Sequence, residues 1–238
     1  MPAGQFDGQR ICIVGGTAGI GLAIARSLAL EDADVIIVGR DLDRSRRIAG
    51  SIGLNVEGRA ADILDDASIG ALFADLGPVD HLVITAAQVR GGLFRDGPLE
   101  DARFSFQGKF WSQYLCARHA QVTRSILLFS GTLSRKPMPG TAVLGAINGA
   151  VEALGRSLAV ELAPLRVNVI SPGLIQGTEA YAAMPEAALN GMMQQAAARL
   201  PAGLVGDGES VAGIACAVLA SPYVTGAVVD IDGGGLLA

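Results

Sequence analysis

The chain alternates short, uninterrupted apolar runs with longer stretches of helical periodicity. The runs are Arg10–Val14, Asp34–Val38, Leu54–Ala60, Asp80–Thr85, Ser125–Ser130, Arg166–Ser171 and Ala227–Ile231. Between them lie helical patterns at Gly21–Leu30, Asp41–Gly50, Asp65–Leu76, Pro98–Val122, Gly140–Ala163, Glu179–Leu200 and Gly208–Ala220. A strand with one wet face alternates polar and apolar residues; these runs do not, so both of their faces must be covered. Strands of that kind, each followed by a helix, specify a parallel sheet with helices on both sides, a doubly wound α/β fold. No linker or shift in composition interrupts the pattern, so residues 1–238 are expected to form one domain.

Composition removes several alternatives. Half of the 238 residues are hydrophobic and 17% are charged, which rules out disorder and supplies a large core. The net charge is −5 and no stripe of Lys and Arg runs along the chain, so a nucleic-acid partner is not expected. Cys12, Cys116 and Cys216 stand far apart and form neither a disulfide framework nor a zinc motif; free thiols fit a reducing, cytoplasmic setting. The start, MPAGQFDGQR, has no apolar core of a signal peptide. Ser210–Val229 is uncharged, but Ser221-Pro222 and Thr225-Gly226 divide it. It reads as a helix, a turn and a buried strand rather than a membrane span.

The first strand runs straight into Gly15-Gly16-Thr17-Ala18-Gly19-Ile20-Gly21 and then a helix. Glycines let the backbone turn tightly and approach a diphosphate, and the helix start offers unpaired N–H groups. A dinucleotide is therefore the expected ligand. The second strand ends Val38-Gly39-Arg40. Gly39 stands where a carboxylate would hold a ribose 2′-hydroxyl, and the Arg40 fork suits a 2′-phosphate. NADP(H) is thus preferred over NAD(H). The blander reading makes Arg40 the first charge of a solvated helix that also carries Arg44, Arg46 and Arg47.

The spacing GxxxGxG at Gly15, Gly19 and Gly21 resembles that of the short-chain dehydrogenase/reductase family. So do Asp62 after the third strand, Ser171-Pro172-Gly173, and the segment from Val224-Thr225-Gly226 to Asp232-Gly233-Gly234. The resemblance spans nearly all of residues 10–235 and implies a seven-stranded Rossmann fold. It implies cofactor contacts from the turn at Gly15, Thr17, Ala18, Gly19, Ile20 and Gly21, and from Arg40. It adds Asp62 at the adenine, with Ile63 and Ala86, and a Pro-Gly loop, Pro172, Gly173 and Ile175, near the nicotinamide.

The same resemblance implies a tyrosine proton donor, a lysine four residues later, a serine about thirteen residues earlier and an asparagine on the preceding long helix. Here the serine position holds Gly131, the tyrosine position Leu144, the lysine position Asn148 and the asparagine position Lys109. The turn threonine is replaced by Val14, and Thr85-Ala86-Ala87 stands for an asparagine-alanine-glycine motif. Lysine and asparagine have exchanged places. The expectation is that Lys109 restores an ammonium beside the nicotinamide ribose, with Asn148 as its hydrogen-bond partner and a lowered pKa suited to proton donation. The alternative leaves Lys109 solvated and both residues incidental. Ser130, Thr132 and Ser134 could hold a substrate oxygen or merely stabilise a turn. His81 and His119 lack metal-ligand spacing, and no metal is expected.

Residues 179–200, with Tyr181, Met184, Met192 and Met193, suggest an apolar substrate lid. The two long helices resemble the family's dimer-forming pair and imply a homodimer or a two-fold homotetramer. Two functions remain open. One is a cytoplasmic NADP(H)-dependent oxidoreductase acting on a small molecule through an altered site. The other is a non-catalytic NADP(H)-binding sensor or scaffold. An isomerase or lyase that reuses the fold is a third possibility.

Overall fold

The computed structural model describes residues 4–178 and 184–238. Seven strands form one sheet: β1 (Arg10–Val14), β2 (Asp34–Gly39), β3 (Val56–Ala60), β4 (Val79–Ile84), β5 (Val122–Phe129), β6 (Arg166–Pro172) and β7 (Val228–Ile231). Their order is β3-β2-β1-β4-β5-β6-β7, and every pairing is parallel. The chain winds outward one way from β1 and then, at β4, the other way.

Successive side chains point to opposite faces of a strand, and each face has its own core. Ile11, Ile13, Val35, Ile37, Val83 and Leu127 meet α1 (Gly19–Leu30) and α8 (Gly208–Ala220) on one side. Cys12, Val14, Ile36, Val38, Leu82 and Leu128 face the other side, with α3 (Asp66–Leu76), α5 (Ser112–His119) and α6 (Ala142–Glu161). Full burial of each Ile or Leu is worth about 1.5–3 kcal/mol, so the unbroken apolar runs are the cause of the double covering. The edge strand β7 is only half-buried, not the buried strand expected, because nothing pairs with its outer side in a single chain.

Helix starts follow the sequence. Asp41 caps α2 (Leu42–Ile52) by accepting from Arg44 N at 2.7 Å, Asp65 caps α3 through Ala67 N at 3.0 Å, and Asp207 caps α8 through Ser210 N at 2.9 Å. The helix expected over Pro98–Val122 is not uniform. It runs as α4 (Leu99–Ser105), a π-helical stretch (Phe106–Trp111) and α5, and Val122 already belongs to β5. The wider turn coincides with a close approach: a Cβ on Gly108 would sit 2.2 Å from Gln88 O, and Gln88 N donates to Gly108 O at 2.9 Å. Ser112 Oγ and Gln113 Nε2 then donate to carbonyls of the widened turn. Such π turns are frequent at functional sites.

The last long pattern becomes α7 (Glu186–Ala197); the part of the expected lid at 179–183, with Tyr181, lies outside the described residues. Among the described residues, α6 is long and apolar enough to cross a membrane by length and composition. In the fold it is a covering layer, carrying buried Asn148 and Glu152 against the sheet. His81, on β4, is buried between Ser125 Oγ at 2.7 Å and Gln9 Oε1 at 2.9 Å. The amide oxygen only accepts, so Nε2 carries the proton and Nδ1 accepts from the serine.

Candidate functional site: a dinucleotide cleft and an altered polar centre

In open α/β sheets, ligands sit beyond the carboxyl ends of the strands where the winding reverses. A cleft of about 570 Å³ lies there, above β1, β2 and β4. Its floor is the turn from Gly15 to Gly21. Gly15 has φ +93°, a left-handed conformation, and a Cβ on it would meet Ala86 N at 2.5 Å. A Cβ on Gly21 would meet Gly15 O at 2.3 Å. These two glycines are demanded by backbone on backbone, with no side chain that could yield. Ala18, at the start of α1, supplies no capping side chain, and the first turn holds no acidic residue. The N–H groups there are left for an anion, with the positive end of the helix dipole behind them.

The walls complete the shape. Gly39, Arg40, Asp41 and Arg44 form one end, Ala61 and Ile63 the side, and Thr85 to Gln88 the other end. Thr85 Oγ1 and the backbone N–H groups of Thr85 and Ala86 donate to Val14 O and lock β4 to the turn. Of the expected cofactor residues, the structure brings Gly15, Thr17, Ala18, Gly19, Ile20, Gly21, Arg40, Ile63 and Ala86 into this cleft.

Four others are placed outside its lining. Asp62 is exposed, and its carboxylate turns back to accept from Leu64 N at 3.0 Å. Pro172 ends β6, and Gly173 N donates to Ile231 O at 2.9 Å. The Ile175 side chain is packed in the core, 4% exposed, with its backbone bridged to Gly206. Sequence reasoning missed Arg44 as a cleft residue. Its signal was Asp41: a cap three residues earlier sets Arg44 in the first turn of α2, level with Arg40.

The second part of the site lies at the ends of β5 and β6. Lys109, on the π turn, donates from Nζ to Ser130 O at 2.8 Å and to Asn148 Oδ1 at 2.7 Å. The two exchanged residues therefore meet, and the half-buried Lys109 spends its ammonium on them rather than standing free in water. Burial pushes its amine down from 10.5 to about 8. Gln113 clamps the same region, accepting from Phe129 N at 2.8 Å and donating to Phe129 O at 3.0 Å. Gly131 follows β5, and Leu144 is half-buried in the first turn of α6.

Ser130 and Ser134 do not face outward as free hydroxyls. Both donate to buried Glu152 Oε1, at 3.3 Å and 2.7 Å. Arg135 reaches the same oxygen at 3.7 Å and forks onto Asp230. The hydrogen bond to Asp230 raises the arginine above its ordinary value, and the guanidinium holds the Asp230 carboxyl below its own. Arg135 also donates to Ser171 Oγ at 2.9 Å, so this loop is tied to β6 and β7. Among the described residues no His, Cys, Asp and Glu group could hold a metal ion.

This arrangement, a glycine cradle at a topological reversal with a polar centre beside it, defines a nucleotide-binding α/β enzyme fold. The comparisons agree. A family model described as enoyl-(acyl carrier protein) reductase matches residues 15–235. The 3-oxoacyl-[acyl-carrier-protein] reductase of Bos taurus is 32% identical over 239 residues, covering 95% of this chain and 98% of its own. Carbonyl reductase family member 4 of Xenopus tropicalis is 31% identical, covering 94% and 97%. A solved small-chain dehydrogenase in complex with NADPH is 36% identical with a TM-score of 0.84, covering 98% of this chain and all of the other. The MalC reductase/Diels-Alderase from Malbranchea aurantiaca, 25% identical, has a TM-score of 0.90 with 99% of both chains covered. The chain belongs to the short-chain dehydrogenase/reductase family, oxidoreductases that bind nicotinamide dinucleotides.

Proposed function

We propose that the protein is an NADP(H)-dependent oxidoreductase acting on a small molecule through an active centre without the family's phenol. The observation that carries the cofactor choice is the end of the cleft where Gly39 brings no carboxylate and Arg40 and Arg44 both line the wall. Two guanidinium groups there match a 2′-phosphate, and no carboxylate occupies the Gly39 position to repel it. The NADPH complex of a 36% identical relative supports the same reading.

The glycine turn and the start of α1 would hold the diphosphate. Thr85 to Gln88 would continue the wall toward the nicotinamide. Bound there, the nicotinamide supplies or takes a hydride. The chain itself supplies the surroundings. Lys109 Nζ can hold or release a proton near neutral pH, and Asn148 fixes its position. Leu144 makes the tyrosine position apolar and cannot donate.

A two-fold homodimer or homotetramer goes with this reading. Trp111 on the π turn and Val160 on α6 are exposed in the single chain, apolar surface for a partner copy. The three free thiols suit a cytoplasmic location. Incubation with NADPH and a panel of ketones, quinones and enones tests the activity. Turnover on one class, lost in Lys109→Met, supports the reading. Tight NADPH uptake with no turnover on any of them would leave the non-catalytic sensor, the reading that Leu144 favours.

A further inference from the structure

β3 closes one side of the sheet and pairs only with β2. Val35 N donates to Asn55 O and Ala61 N to Gly39 O, both at 2.9 Å. In a parallel pair alternate residues bond the same neighbour, so Asn55, Glu57, Arg59 and Ala61 turn their backbone groups to β2. Val56, Gly58 and Ala60 turn theirs outward. Among the described residues nothing pairs with the outward N–H and C=O groups of Gly58 and Ala60. Gly58 is also buried, because α2 crosses directly over it: a Cβ there would sit 2.4 Å from Ser45 C. Buried backbone groups almost always have partners. Here the space for a partner is a groove of about 800 Å³ along the outer edge of β3, between α2 and α3.

The two walls of the groove differ in charge. On the α3 side Arg59 lies between two carboxylates. Its Nε is 2.6 Å from Glu57 Oε1, and its Nη1 donates to Asp75 Oδ2 at 2.6 Å. The Nε contact is not aligned as a hydrogen bond, and among the described residues Arg59 Nε is the one buried side-chain nitrogen or oxygen that makes none. Two carboxylates against one guanidinium leave this wall with an excess of negative charge. On the α2 side Arg46 is exposed and has no carboxylate partner among the described residues. The rest of the lining is mostly apolar, and Leu54 at its end is fully exposed.

We propose that this groove docks an extended segment of another protein, which joins the sheet as an added strand on β3. The backbone of the guest completes the outward groups of Gly58 and Ala60. Side chains of a strand alternate between its faces, so neighbouring residues of the guest meet opposite walls. The charges then call for an acidic side chain toward Arg46 beside a basic one toward Glu57 and Asp75, within an otherwise apolar or β-branched strand. The groove shares no lining residue with the dinucleotide cleft, so this docking is independent of the function proposed above.

The test uses the full chain and a fluorescein-labelled peptide, Thr-Val-Glu-Lys-Val-Thr, followed by fluorescence anisotropy. Saturable binding of one peptide per chain is expected. Methylating the inner backbone nitrogens one at a time should weaken binding about tenfold or more at alternate residues and little at those between, because only alternate N–H groups turn toward β3. Hydrogen exchange read by mass spectrometry should show β3 protected by the peptide. Arg46→Glu should lower the affinity about fivefold or more. The peptide Thr-Val-Lys-Lys-Val-Thr should reverse that preference and bind Arg46→Glu more tightly than the unsubstituted chain.

Near-ultraviolet circular dichroism and NADPH calorimetry, both unchanged in Arg46→Glu, report an intact fold and cleft. The methylation series needs no variant and decides the strand pairing even if Arg46→Glu fails to fold. No saturable binding, an equal effect of methylation at every position, or unchanged exchange in β3 overturns the docking. Equal affinities of both peptides for both chains overturns the charge pairing with Arg46.

Discussion

Replacing Lys109 with methionine should flatten one part of the pH dependence of stability. The amine falls from 10.5 to about 8 on folding because burial disfavours its charge. At about 1.4 kcal/mol per pH unit, holding that charge costs the folded chain at most about 3.5 kcal/mol. Below about pH 8 both states are protonated and the full cost is present. Between about 8 and 10.5 the unfolded chain holds a proton that the folded chain has released, so stability rises with pH. Methionine removes the cost and the slope together. It also strips Ser130 O and Asn148 Oδ1 of their donor, at about 1–3 kcal/mol for each unmet acceptor. Near pH 7 these effects oppose each other, so the absolute stability of the variant says little. The difference between wild type and variant says much, because every other titrating group cancels. Urea unfolding of both proteins from about pH 7 to about pH 10 should show wild type gaining about 2–3 kcal/mol on the variant. A constant difference would refute the burial of this charge, and a wild type that loses ground would reverse the argument.

Three further outcomes are expected. Gly21→Ala places a methyl 2.3 Å from Gly15 O, so NADPH binding should fall at least about a hundredfold in calorimetry while the sheet still folds. Gly39→Asp brings a carboxylate next to Arg40 in the chain and, once the Ser45 and Thr17 side chains 2.8 Å from its Cβ have shifted, should turn the ratio of NADPH to NADH affinity by about tenfold or more toward NADH. His81 is pushed down to about 4, chiefly by burial, so it stays neutral in the fold while the unfolded ring protonates near 6.5. Stability is then lost as pH falls from about 6.5 toward 4, by up to about 3 kcal/mol, and His81→Gln should lose less over that window in urea titrations.

The strands were legible because burial on both faces leaves no alternation to misread; β1, β2 and β6 were placed to within a residue. β5 begins earlier than its apolar run, since half-buried Val122 pairs with Val79 before the register shifts to Ser125 opposite His81. The break in the long helix was not legible. It depends on Gln88 crossing Gly108, a contact between distant segments that no local pattern records. In the site, the glycine cradle was legible because the backbone itself requires it. The meeting of Lys109 and Asn148 was legible only through the exchange of two residue types. The cluster of Glu152, Arg135, Asp230 and Ser171 draws on α6, β6, β7 and the loop after β5, and nothing in the spacing announces it. That the Ile175 side chain packs into the core was not legible, because an apolar residue beside a loop gives no sign of whether it faces the cleft or the core.

The account stands or falls on what the cleft above β1 and β4 takes up. Isothermal calorimetry of the purified chain with NADPH and with NADH measures this directly. The expected result is one dinucleotide per chain, with NADPH bound about tenfold or more tighter than NADH, the worth of a charge-assisted contact to the 2′-phosphate. Uptake of neither dinucleotide, or tighter binding of NADH, would contradict it.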